Sequence, residues 1–237
     1  VRPARPPAGP RRPAEPLPAA RARARRIAAA LGRAYPDARI ALNFTTPLEL
    51  LVATILAAQC TDERVNMVTP ALFRTYRTAA DWAAADQATL EAEVRSTGFF
   101  RSKARAIIAM ARALVADHGG QVPRTREALV ALPGVGLKTA NVVLGNAFGV
   151  PAIAVDTHVF RVSQRLGLAR ADDPDAIHDQ LVAVLPRTAW TRATHLIQAH
   201  GRRTCLARAP RCPACPVRDL CPWPDKTAGG PVRRGPR

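Results

Sequence analysis

Apolar residues recur at the spacing that gathers them on one face of an α-helix along nearly the whole chain. The first such stretch is AARARARRIAAALGRAY, good helix formers that should stop near Pro36. PLELLVATILAAQ is apolar on every face, the mark of a buried helix. DERVNMVTPALFRTY predicts a third helix, with Thr61 or Asp62 as its N-cap. Asp81 is expected to cap a short element that QATLEAEVRST continues. RSKARAIIAMARALVADH should run to a stop at Gly119-Gly120. TREALVAL and LKTANVVLGNAFG predict two helices around a short turn, followed by HVFRVSQRLGL, DPDAIHDQLVAVL and AWTRATHLIQAHG. In DPDAIHDQLVAVL, Asp173 suits the N-cap and Pro174 the first helical position. PAIAV is the one β-like run and reads equally as an extended linker. The pattern predicts an all-α fold.

Composition changes this picture at the ends. Residues 1–18 are mostly Pro, Arg and Ala, and TAGGPVRRGPR closes the chain; neither can bury a core, so both are expected to be disordered. No apolar run approaches the ~20 residues a membrane span needs, and no secretory h-region precedes the first helix. A cytoplasmic setting is therefore expected. The net charge of +17 survives removal of the basic tails as a clear excess, which favours a polyanionic partner, nucleic acid, over a merely solvated surface. A membrane surface is disfavoured, because no basic amphipathic segment carries an aromatic anchoring face.

Four cysteines crowd into CLARAPRCPACPVRDLC: Cys205, Cys212, Cys215 and Cys221, spaced C-x6-C-x2-C-x5-C. In a chain without an export signal they imply a metal centre rather than disulfides. Structural zinc usually pairs two tight knuckles, and here one tight pair is flanked by wide spacings. That favours a [4Fe-4S] cluster over zinc, whether it acts in redox or folds a loop so that Arg202, Arg203, Arg208 and Arg211 face phosphates. Cys60, alone beside an apolar helix, reads as a small buried hydrophobe.

Between the two central helices lies LPGVG. Gly134 and Gly136 permit backbone angles that other residues resist, and they uncover N–H groups at a helix N-terminus where phosphate can bind. A plain helix–helix turn is the bland alternative. Lys138 follows in the first helical turn, off the apolar face of Leu137, Ala140, Leu144 and Phe148. Of 35 Lys and Arg residues, only Lys103, Lys138 and Lys226 are lysines. A cation is misplaced by about 0.3–1 kcal/mol in a first turn, and that field, with any partial burial, favours the neutral amine. Arginine would stay charged there, whereas lysine can lose its proton and attack carbon. The position thus favours a nucleophile over a phosphate clamp. Asp156, at the mouth of the next helix, can cap that helix and still manage a proton or a developing cation. His158 is a weaker candidate for the same task, being inside the helix.

With these segments in view, the chain resembles the endonuclease III family of helix-hairpin-helix DNA glycosylases. LPGVGLKTANVVL, AVDTHVFRV, LAAQCTDERVN, GFFRSKA and the cysteine spacing carry the resemblance over about residues 20–225. It implies two helical domains meeting at a DNA-binding cleft: a six-helix barrel over 41–149, and a cluster domain made of 19–40 with 150–226. It implies duplex DNA as partner, with a damaged pyrimidine or an abasic site, and a monomer acting in the bacterial cytoplasm at the nucleoid. Lys138 would attack C1′ and Asp156 would assist, with strand cleavage by β-elimination. Gln59 would fill the space left by a flipped nucleotide and Phe99 would be the wedge. Leu132, Gly134, Val135, Gly136 and Thr139 of the hairpin, with His158, complete the expected DNA-binding set. Cys205, Cys212, Cys215 and Cys221 would hold the [4Fe-4S] cluster. Phe99 stands where the family commonly has leucine, Leu137 where a basic residue is frequent, and Arg203 where tyrosine is frequent. Related adenine-specific mismatch glycosylases share the hairpin and cluster but lack the lysine. A non-catalytic DNA-binding module with structural zinc is the alternative of a different class.

Overall fold

The computed structural model describes residues 15–228. Among them are eleven α-helices and no strand. They are α1 (Leu17–Ala34), α2 (Pro47–Leu56), α3 (Asp62–Thr75), α4 (Ala79–Ala83), α5 (Gln87–Glu93), α6 (Phe100–His118), α7 (Arg126–Val130), α8 (Leu137–Ala147), α9 (Thr157–Arg165), α10 (Pro174–Val184) and α11 (Trp190–Arg203). The PAIAV run is extended backbone without a partner strand, as the linker reading had it.

Local chemistry accounts for the boundaries. Thr46, Thr61, Asp86, Thr125, Asp156 and Asp173 each accept a hydrogen bond from a backbone N–H in the first turn of the helix they precede. The expectation for Asp81 needs correction. Thr78 is the N-cap of α4, and Asp81 is the third helical residue, closing a reciprocal capping box with it. Backbone N–H bonds from Thr78 and Arg77 hold the Asp81 carboxyl below the usual carboxylate range. α6 ends at Gly119 in the left-handed region, as the glycine pair foretold. The tails also need trimming. Residues 1–14 and 229–237 lie outside the described residues, but Leu17 and Pro18 already belong to α1. Thr227, expected to be loose, donates to Pro210 O at 2.7 Å and accepts from Cys212 N at 3.3 Å.

Two hydrophobic cores divide the helices. The first gathers α2 to α8 around Leu50, Leu51, Trp82, Ile107, Met110 and Leu129. Every residue from Leu50 to Leu56 is buried, which explains why α2 is apolar all round. The second core joins α1 to α9, α10 and α11 through Ile27, Leu31, Val159, Ile177, Leu181 and Ile197. The chain passes from one core to the other between Ala152 and Ile153. Arg192 stitches α11 to the end of α1 by donating to the carbonyls of Pro36 and Ala38.

Candidate active site

The hairpin between α7 and α8 is anchored by its side chains and open along its backbone. Leu132 and Val135 are buried, 3% and 5% exposed, so these two expected DNA contacts have only main chain to offer. Gly134 has φ +75°, and a Cβ added there would meet Ala106 Cβ at 2.8 Å. Glycine is required at that position on both counts. Gly136 differs from expectation: its φ of −90° and ψ of 174° are ordinary extended values. A Cβ on Gly136 would meet nothing within 4 Å, so the first turn of α8 is uncovered toward solvent, and no side chain caps it. That leaves its N–H groups free for an anion.

Lys138 and Asp156 come together in the groove between the two cores. Both line an inner recess of about 80 Å³ and the wider mouth of about 780 Å³ onto which it opens, as do Ala57, Asp62 and Arg202. Lys138 is solvent-exposed, so the partial burial expected of it is absent: it stands in the first turn of α8 at the mouth rather than inside. Asp156 is half-buried and held at both oxygens. Its Oδ1 accepts from Val159 N at 2.7 Å, the N-cap of α9, and its Oδ2 accepts from Gln198 Nε2 at 3.2 Å. Capping and chemistry are thus compatible, as expected, but the second oxygen carries a partner that the sequence did not announce. His158 is half-buried against Gly201, near Arg161 Nη2 at 3.3 Å. Burial pushes its imidazole below the usual value against the opposing pull of Asp156. Asp62 and Arg202 form an ion pair at 2.7 Å across the groove. The sequence marked Asp62 only as a possible cap and Arg202 only as a candidate for phosphate.

Gln59 and Phe99 lie on two loops of the first core, and both are exposed with φ of 52° and 49°. Among the described residues only one other non-glycine, Ala209, has positive φ. A left-handed aromatic residue is strained by about 1–2 kcal/mol, and Phe99 is also 63% exposed. Lys103 connects the two loops. It is 4% exposed, and its Nζ donates to Leu56 O at 2.7 Å and to Thr97 O at 2.8 Å. Leu56 ends the helix before Gln59, and Thr97 ends the 3-10 turn before Phe99. Lys103 has no surface or periodicity signal in the sequence; its rarity as a lysine was the available hint.

The cysteine-bearing loop packs on α1, α9 and α11. All four thiols are free and half-buried, and Cys60, likewise free and half-buried, stands apart against the first core. Burial raises the Cys215 and Cys221 thiols, and each also feels the charge of Cys205 and Cys212. Among the described residues no three such side chains converge tightly enough to hold a single ion. Two arginines of α9 organise the loop. Arg161 donates to Gly201 O and Cys205 O, while Arg165 donates to Leu206 O, Ala207 O and the Cys205 sulfur at 3.4 Å and packs over Trp223. His200, buried, sits between Tyr35 Oη at 2.9 Å and Cys215 Sγ at 3.8 Å, and burial pushes its pKa down to about 4. Of the four arginines expected to face phosphates, Arg202 is paired with Asp62 and Arg203 with Asp37. Arg208 and Arg211 are exposed on the loop.

Comparison with known proteins places the chain in a family. The HhH-GPD superfamily of base excision DNA repair proteins matches residues 52–187, which span the hairpin, Lys138 and Asp156. Endonuclease III of Synechocystis sp. is 50% identical over 84% of this chain and 92% of the relative. Endonuclease III of Bacillus subtilis is 45% identical over 81% of this chain and 88% of the relative. A solved structure described as a trapped endonuclease III–DNA covalent intermediate superposes with a TM-score of 0.81 at 45% identity, covering 85% of this chain and 95% of that one. The chain belongs to the endonuclease III family of the HhH-GPD superfamily, and it is accordingly a DNA glycosylase and AP lyase of base excision repair.

Proposed function

We propose that the enzyme removes oxidised or reduced pyrimidines from duplex DNA and then cleaves the strand 3′ to the abasic site, with Lys138 as nucleophile. The observation that carries this reading is the shared groove. An exposed lysine at an uncapped helix N-terminus faces the same recess as a carboxylate fixed at both oxygens. A base flipped into that recess would bring its C1′ to the mouth where Lys138 stands. Lys138 Nζ then bonds to C1′ as the bond from C1′ to the base nitrogen breaks, and the base leaves with a proton. The C1′–O4′ bond of that adduct then opens, O4′ taking a proton, and the imine so formed acidifies the C2′ proton, whose loss expels the 3′ phosphate oxygen by β-elimination. Asp156 faces the cationic sugar and serves the lysine proton, its orientation held by Val159 N and Gln198.

The loops and hairpin supply the grip. Gln59 and Phe99, paired left-handed residues on neighbouring loops, suit insertion into the duplex where the nucleotide leaves. The uncovered N–H groups at Gly136 and the following turn suit a phosphate, with Thr139 beside them and Leu132, Gly134 and Val135 fixing the turn. The half-buried His158 supports the Asp156 side of the groove. Similarity to a covalent intermediate with DNA supports both the partner and the nucleophilic route.

Cys205, Cys212, Cys215 and Cys221 would hold a [4Fe-4S] cluster. Four free, half-buried thiols on one loop, with one tight pair flanked by wide spacings, fit that larger group better than zinc. Its contribution would be to fold the loop that carries Arg208 and Arg211. The two cores favour a division into a barrel and a cluster domain close to 41–149 and 19–40 with 150–226, with Ile40, Val150 and Ala152 packing on the barrel side. Among the described residues no helix is long and apolar enough to cross a membrane. A monomer acting on the bacterial nucleoid suits this reading.

The test is borohydride trapping on abasic-site DNA. The wild-type chain should form a covalent complex, and Lys138→Gln should not. Trapping by Lys138→Gln at the wild-type rate refutes the assignment.

A further inference from the structure

Apart from Lys138 and Asp156, the polar side chains of the inner recess each have a partner; half-buried His195 keeps its Nδ1 unpaired, and one deeply buried residue is left with an unpaired side-chain oxygen. His195 Nε2 pairs with Asn146 Oδ1 at 2.7 Å, and Asn146 Nδ2 donates to Val142 O. Gln198 is bonded to Asp156, Arg202 to Asp62, Thr191 to the Ala152 backbone, Thr54 to Leu50 O and Thr194 to Trp190 O. Asn141 differs. It is 2% exposed, and its Nδ2 donates to Ile153 O at 2.8 Å, which fixes the amide. Its Oδ1 is buried and has no partner. Asn141 lies one helical turn beyond Lys138 on α8, so the two side chains share a face, and both line the recess.

We infer that Asn141 reads the expelled base, its Oδ1 accepting a hydrogen bond from the ring N3–H of a uracil- or thymine-type lesion. The inference rests on the preceding assignment of Lys138 and this recess. A base bonded through N1 to the carbon that Lys138 attacks must send its far edge past Lys138 into the recess. On a dihydrouracil ring the only edge donor is N3–H. A cytosine-type ring places a lone pair at N3, which would face the Asn141 oxygen unfavourably. A buried acceptor left unpaired is costly, so a base that supplies the donor is bound in preference to one that does not. The same amide ties α8 to the segment that leads into Asp156, so the reading residue and the catalytic carboxylate are held by one backbone.

The experiment compares wild type with Asn141→Leu on three duplexes carrying 5,6-dihydrouracil, N3-methyl-5,6-dihydrouracil or a preformed abasic site. Asn141→Leu should lose about 10- to 100-fold more in single-turnover excision of dihydrouracil than in abasic-site cleavage and borohydride trapping, which feel the lost bond to Ile153 O but not the missing acceptor, because no base occupies the recess there. N3-methylation should cost the wild type more than it costs the variant. Equal losses in excision and abasic-site cleavage would make Asn141 structural and overturn the inference, as would an unchanged excision rate. An equal cost of N3-methylation in both proteins would overturn the pairing with N3–H. If Asn141→Leu does not fold, Asn141→Ala gives the same comparison. Trapping that survives in Lys138→Gln would sink the nucleophile assignment instead, so the two failures are distinguishable.

Discussion

Replacing Lys103 with methionine keeps the stem and removes the ammonium. In the native protein that ammonium donates to Leu56 O at 2.7 Å and Thr97 O at 2.8 Å from a site only 4% exposed. It closes the C-terminal ends of α2 and the 3-10 turn together, where helix carbonyls lack partners. Each carbonyl left buried and unpaired costs about 1–3 kcal/mol. Part of that is returned because an ammonium need no longer be desolvated. The net loss is about 2–4 kcal/mol, which for a chain of this size lowers Tm by roughly 5–12 °C. Burial lowers the Lys103 pKa, with Cys60 opposing. For a base, a lowered folded value means that the unfolded chain binds more protons between the folded and unfolded values. The Lys103 contribution therefore grows as pH rises through the window just below the ordinary lysine value, where the neutral amine still has two N–H groups for two carbonyls. Thermal unfolding followed by circular dichroism, from neutral pH to the alkaline edge of that window, measures both effects. Lys103→Arg should also destabilise, because a planar guanidinium cannot occupy a site shaped for a compact ammonium. A Tm unchanged within about 1 °C in Lys103→Met would refute the reasoning, since desolvation would then cancel the bonds completely.

Two glycines of the hairpin should separate stability from DNA contact. Gly134→Ala should cost about 1–3 kcal/mol from its positive φ alone, with more from the clash at Ala106, read as a lower urea midpoint. Gly136→Ala should change stability by less than about 0.5 kcal/mol yet weaken binding to abasic-site DNA in fluorescence anisotropy, because its Cβ would stand where a phosphate approaches. Phe99→Gly should raise stability by about 1 kcal/mol on relief of the left-handed strain, measured as a higher Tm, while slowing excision from duplex DNA.

The helices were legible because their signals are local. Thr61, Asp173 and Gly119 sit where capping chemistry requires them, and α2 declared its burial by being apolar on every face. Asp81 misled because the two partners of a capping box are both good N-caps, and only the backbone shows which one precedes the helix. Lys138 and Asp156 could be singled out for the same local reason: each stands at a helix N-terminus, where charge has a defined sign of effect. Asn141, Gln198 and Lys103 could not, since what matters about each is a partner, or the lack of one, supplied by distant chain. Lys103 also changes the argument first made from the scarcity of lysine. Arginine fails at position 138 if the cation must be able to become an amine, but at position 103 it fails on shape, with no chemistry involved. Scarcity therefore marks positions where a guanidinium does not serve, and geometry decides why. A lysine 4% exposed and bonded to two carbonyls is a clasp, whereas an exposed one at an uncapped helix start, lining a groove with a fixed carboxylate, suits the nucleophile proposed for it.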